Sequence, residues 1–279
     1  GLVCLDDTIE RFLPSFFGYE KGKIALHSLL THTSTIHGQV QLYRTCHNKS
    51  EILQGILHMP PRDLSYPSVE YSSQGFMILG EVIESIMSLP LDRAMRELVF
   101  EPLGMNDTIF NPPEELFPRI ASTENCPWRN RVIVGEVHDE NAVVMGGVCG
   151  HAGLFAPVAD IVKLSQAMLS GEAANGTRFL FPATIALMTR NHTKGMNLAR
   201  GLGWQLKDAH ASPAGDLFSD FSYGHTGFTG TSLFMDPTRD LYAVLLTNRV
   251  HPSRTGEGII HVRHLFHNLA ALLLDAQQQ

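Results

Sequence analysis

No segment of this 279-residue chain approaches the ~20 uninterrupted apolar residues of a membrane-spanning helix. The most apolar stretch near an end, residues 269–274, is far shorter and reads as the end of a packed helix. Dense Lys/Arg runs are missing too. With 21 basic residues against 28 acidic ones the net charge is −7, which sets nucleic-acid backbones aside as partners. There is no CxxC pair: Cys4, Cys46, Cys126 and Cys149 are widely spaced. Four thiols suffice for two disulfides, but a chain of this length needs no staples, and free, mostly buried thiols are expected. HExxH is also absent. His261, His264 and His267 recur every three positions without a carboxylate at the metal-binding spacing, so they read as a solvated or capping face and no metal is assigned. Low complexity is confined to Gln277, Gln278 and Gln279. The chain opens on Gly1 rather than Met, which reads as a cloning or processing boundary and leaves the compartment open.

What is present is the composition of an ordered protein. Hydrophobic residues make up 44% and charged residues 18%, with 24 Gly and 15 Pro, at a length that suits one domain or two interleaved lobes. A short capped helix over 5–14 closes at Pro14. Helical apolar spacing follows over 24–32, 51–57, 72–87, 91–99, 160–169 and 182–189. After about residue 200 the character changes. Residues 201–207, 223–236 and 241–248 are Gly-, Thr- and aliphatic-rich, as strands are, and 257–274 forms a closing helix. Helices first and antiparallel strands last indicate an α+β architecture.

Two segments carry groups that chemistry uses. Tyr71-Ser72-Ser73 precedes the longest amphipathic helix. A Tyr at a helix entrance lies in the positive end of the dipole, which favours the phenolate and, with a Lys alongside, a general base; the same tripeptide also suits a packing Tyr with a Ser cap. Gly224-His225-Thr226-Gly227-Phe228-Thr229-Gly230 has glycines that let backbone approach a ligand and N–H groups that suit an oxyanion hole, or it is simply a glycine-rich hairpin. Cys46-His47-Asn48-Lys49 has a nucleophile-x-x-Lys spacing but reads as a loop entering a helix cap.

Taken in order, the segments resemble the serine hydrolases related to class C β-lactamases, penicillin-binding proteins and family VIII esterases. Leu29-Leu30-Thr31-His32-Thr33-Ser34 matches the family's LLTHTS signature, Tyr71-Ser72-Ser73 its Tyr-x-Ser/Asn motif, and Glu101-Pro102-Leu103-Gly104-Met105 its PLGM turn. Leu5-Asp6-Asp7 with Phe12-Leu13-Pro14, Gly135 to Ala142, and Gly150-His151-Ala152-Gly153-Leu154-Phe155 also resemble family segments, and His225-Thr226-Gly227 occupies the Lys/His-Thr-Gly position. The resemblance implies an antiparallel sheet flanked by helices plus a mainly helical lobe over 21–189, with 1–20 and 190–279 as the remnant of an α/β lobe. It implies Tyr71 as partner base and proton donor and Ser73 as a polar contact between lobes. His225, with Thr226 and Gly227, would contact the substrate carboxylate or leaving group, and the Phe228 N–H would be half of an oxyanion hole. It implies no cofactor, and a small ester, β-lactam or peptide-like amide as substrate.

One departure dominates. The family's Ser-x-x-Lys is absent: none of Lys21, Lys23, Lys49, Lys163, Lys194 or Lys207 has a Ser three positions earlier. In the family that motif precedes Leu-Asp-Asp by a few helical turns, which here places it before residue 1, together with N-terminal strands and the nucleophile helix. Three readings follow: a serine hydrolase without its N-terminal portion, a non-catalytic binding descendant, or a hydrolase that has recruited another group such as Ser34, Ser72 or a histidine-held metal. Loss of a helix and strands would expose a sheet edge and an apolar groove, so self-association is expected.

Overall fold

The computed structural model describes residues 1–208 and 212–277; Gln278 and Gln279 of the terminal glutamine run lie outside them. The helical part is organised around Ser73–Met87. Ser72 caps it, its Oγ accepting the Gly75 N–H at 3.0 Å, and Ser88 ends it in the left-handed region at φ 53°. Its buried residues Met77, Ile78 and Val82 pack with Ile9, Leu29, Ile52 and Ile56. The preceding helix, Lys49–His58, is capped by Asn48, whose side chain accepts the Glu51 N–H.

Among the described residues the main sheet has four antiparallel strands in chain order: Gln205–Leu206, Tyr223–Thr226, Ser232–Asp236 and Leu241–Leu245. Alternation along the third strand sorts its two faces. Phe234 joins Phe218, Ala243 and Ala271 beneath the closing helix Ile259–Gln277, whereas Met235 joins Tyr223 and Met168 beneath the helix Val158–Ser170. The architecture is α+β, with the antiparallel sheet flanked by helices.

Several expectations change. Residues 223–236 are not one strand but a hairpin, because the turn 227–231 includes Gly230 at φ 122°. The helix expected over 91–99 is regular only for Leu91–Met95; Arg96–Phe100 widens to a π turn. Pro102 explains it, since it cannot donate to the Leu98 carbonyl and its ring crowds that turn. Two-residue strand pairs, Ile109–Phe110 with Leu154–Phe155 and Asn125–Cys126 with Arg131–Val132, are too short to leave a periodic signal.

The closing helix departs most. His261, His264 and His267 do not share a solvated face, because each step of three residues falls about 60° short of a full turn and carries His267 about 120° round from His261. His267 is buried among Phe218, Phe234 and Phe266, and His264 pairs with Asp216 at 2.8 Å. Residues 269–274 do lie near the end of a packed helix, but only one side packs: Ala270 and Ala271 make the core contact, whereas Leu269, Leu272 and Leu273 are 58%, 51% and 65% exposed. With Val262 and Leu265 they leave an apolar stripe in solvent. The four thiols are free, with Cys4 exposed and the others buried.

Candidate active site

A cleft of about 1130 Å³ opens between the start of the Ser73–Met87 helix, the glycine-rich turn that runs through Gly150, and the sheet hairpin. Tyr71, Ser73, His225, Thr226, Gly227 and Phe228 all line it. The rings of Tyr71 and His225 stand 5.9 Å apart. Ser72 positions Tyr71, because its N–H donates to His32 Nδ1 at 3.0 Å while its hydroxyl caps the helix. The His32 ring lies 4.6 Å from Tyr71 and stacks on Phe76 at 5.0 Å.

The electrostatics differ from those expected of a phenolate at a helix entrance. Burial pushes the Tyr71 hydroxyl up; nearby Arg200 opposes this and Asp139 adds to it. Burial outweighs the helix dipole here because Ser72, not Tyr71, occupies the cap and the ring is enclosed. His225 is pushed down to about 4, first by burial and then by Arg200, and His32 to about 3 for the same two reasons. At neutral pH His225 is therefore uncharged. Its Nδ1–H donates to the Thr226 carbonyl at 2.9 Å, which leaves Nε2 as an acceptor rather than a cation.

The cation that acts on Tyr71, His225 and His32 is Arg200. It is buried, and its Nε and Nη1 find no hydrogen-bond partner among the described residues. Sequence reading missed both Arg200 and His32 as functional groups. His32 stands inside a quoted signature, but nothing in the run Ala199-Arg200-Gly201 marks the arginine until the backbone turns it inward.

The far wall is held by hydrogen bonds, ring stacking and ion pairs. Arg263, buried in the closing helix, donates from Nη2 to the Gly227 carbonyl and, at 2.8 Å, to that of Thr231, fixing the hairpin turn. The Phe228 ring, 57% exposed, stacks on His138 at 5.6 Å and lies 4.4 Å beneath the Arg249 guanidinium. His138 bonds Glu124 at 3.0 Å. Glu124, Cys126 and Glu140 bring ligand atoms within 4.8 Å of one another, but the Arg254 guanidinium sits on both carboxylates. The suggested substitute nucleophiles are committed elsewhere. Ser34 Oγ accepts from the Ile36 N–H at 3.3 Å and Ser72 caps a helix; Lys49 pairs with Glu81 and Glu84, while Cys46 Sγ donates to the Glu51 carbonyl at 3.4 Å.

These features agree with comparison to known proteins. The Beta-lactamase family profile matches residues 1–266. A protein of Salmonella agona (strain SL483) named "Putative D-alanyl-D-alanine carboxypeptidase" is 34% identical over 280 residues, covering 90% of this chain. The chain spans 64% of the length of that relative. Among solved structures, the β-lactamase/D-alanine carboxypeptidase of Pseudomonas syringae superposes with a TM-score of 0.72 at 17% identity, over 96% of this chain and 78% of that one. EstCE1, described as a hydrolase with promiscuous acyltransferase activity, gives 0.71 at 22%, over 97% and 78%. The chain belongs to the β-lactamase family and has its β-lactamase/penicillin-binding-protein-like fold.

Proposed function

We propose that this chain forms the acyl-substrate cleft of a serine hydrolase of the β-lactamase family, acting on ester or peptide-like amide bonds of the D-alanyl-D-alanine type. The observation that carries the reading is the meeting of Tyr71 and His225 across one cleft, 5.9 Å apart. Tyr71, protonated at neutral pH, donates to a leaving group; neutral His225 accepts from it through Nε2. Arg200, rather than His225, supplies the positive potential that draws an anionic substrate. Ser73 gives a polar contact and the Phe228 N–H one oxyanion donor. The cleft lies between a mainly helical part, whose core takes in Ile9 and Phe16, and the sheet with its covering helices Val158–Ser170 and Ile259–Gln277. The name of the Salmonella relative supports the peptide class.

The test is calorimetric titration of the chain with an acyl-D-alanyl-D-alanine peptide. Binding is expected, and Tyr71→Phe and His225→Ala should each weaken it about tenfold, as loss of one hydrogen bond of about 1.5 kcal/mol does. Binding that neither variant alters would overturn the reading. The alternative, a non-catalytic binding module, predicts the same affinity and no covalent chemistry.

The reading includes self-association. The stripe Val262, Leu265, Leu269, Leu272 and Leu273 runs along the helix that covers the Leu241–Leu245 edge strand, which pairs on one side with Ser232–Asp236. A second copy meets both the stripe and the edge. Light scattering should give about twice the 30.8 kDa chain mass, reverting to monomer in Leu269→Lys/Leu273→Lys. A monomeric wild-type chain would contradict it.

A further inference from the structure

The glycine-rich turn 146–153 brings together three residues that the reading above leaves unused. Cys149 Sγ lies 3.1 Å from His151 Nδ1, and His151 Nε2 lies 3.0 Å from Asp139 Oδ1, an ion-pair contact too bent for a full hydrogen bond. All three line the same cleft as Tyr71 and His225. Each is held from behind. Asp139 caps the helix Glu140–Val144, its Oδ1 accepting the Ala142 N–H at 2.8 Å. Gly150 seats the turn on the Ser73–Met87 helix so closely that a Cβ there would lie 2.1 Å from the Phe76 carbonyl oxygen. The thiol is thus fixed beside the imidazole, with 4% of Cys149 exposed.

Nucleophile, base and orienting carboxylate in contact order define an activated thiol: one ring nitrogen faces the sulfur while the other is oriented by an acid. We propose that Cys149 is an acyl acceptor, a second nucleophilic centre in the cleft that takes the acyl group of an activated ester as a thioester. The step is balanced. Cys149 gives its proton to His151; the sulfur bonds the carbonyl carbon, the bond from that carbon to the leaving oxygen breaks, and the proton passes from Nδ1 to the leaving group. No oxidant, reductant or co-reactant takes part.

The electrostatics agree with an imidazolium at this position. Burial opposes charge on His151, but Asp139 and the Cys149 sulfur outweigh it and raise its pKa to about 9. Asp139 is held below the usual carboxylate range, burial being overcome by His151. Cys46 and Cys126 are also buried, and among the described residues neither is hydrogen-bonded to a histidine.

The proposal takes its substrate class, acyl compounds, from the reading above, and its test is separate from the peptide titration. The chain is mixed with p-nitrophenyl acetate, p-nitrophenol release is followed, and the product is mapped by mass spectrometry. The expected result is a burst of one equivalent with a single acetyl group on Cys149, formed at least tenfold faster than on exposed Cys4. Cys149→Ala should lose the burst, and His151→Gln, with its far-ultraviolet circular dichroism unchanged, should slow it at least tenfold. Acetylation of Cys149 no faster than of Cys4, or a rate unmoved by His151→Gln, would overturn it. Peptide binding by the unmodified chain still reports on the Tyr71–His225 reading alone.

Discussion

Steady-state nitrocefin turnover by the 279-residue chain is expected to fall on the order of a millionfold below that of a relative with Ser-x-x-Lys, the size of loss that follows removal of a hydrolase nucleophile. The reason is specific to the residues present. No lysine has a serine three positions earlier, Ser34 and Ser72 are committed to backbone donors, and burial holds Tyr71 protonated. Acyl capture by Cys149 does not change the expectation, since it ends after one equivalent. Stopped-flow and hour-long assays at neutral pH check it. Sustained hydrolysis above background that disappears in Tyr71→Phe would show that a further group in the cleft acts as nucleophile.

The second large effect concerns stability. Arg254→Ala should destabilise the fold by about 3 kcal/mol, the low end for breaking a buried ion pair, because the side chain keeps 35% of its surface in water. The substitution leaves Glu124, 3% exposed at its side chain, and Glu140 facing each other without their cation. Its pH dependence follows from Glu124, whose pKa is held at about 2, chiefly by the hydrogen bonds from Arg254, against an ordinary value of 4.5. A depressed carboxylate contributes stability that is complete above 4.5 and is lost as pH falls toward 2. The gap between wild type and Arg254→Ala, read from urea unfolding, should therefore be full at pH 7 and close on acidification below about 4.5. A gap that stays constant down to pH 3 would assign the effect to packing instead.

How much of this was legible in the sequence depends on distance along the chain. The Ser73–Met87 helix was readable to within one residue because its cap and its apolar spacing are local. The strand carrying His225 was readable from its composition, but its hairpin was not divided, since the positive φ of Gly230 belongs to the turn rather than to a periodic pattern. The cleft residues were found through resemblance. Their charge states were not, because burial and Arg200 set them and both are products of tertiary packing. His267 was misplaced for the same reason: polarity suggested solvent, whereas three aromatic rings enclose it. Cys149, His151 and Asp139 match no spacing rule, since a cap and a reversed turn bring them together.

The clamp from Arg263 onto the Gly227 and Thr231 carbonyls has a consequence in time. During synthesis Tyr71 and its helix emerge early and the hairpin with His225 much later, but the turn between its strands is unsecured until the closing helix follows. A chain stalled before residue 259 therefore holds both Tyr71 and His225 in its sequence while the turn beside His225 still lacks its clamp.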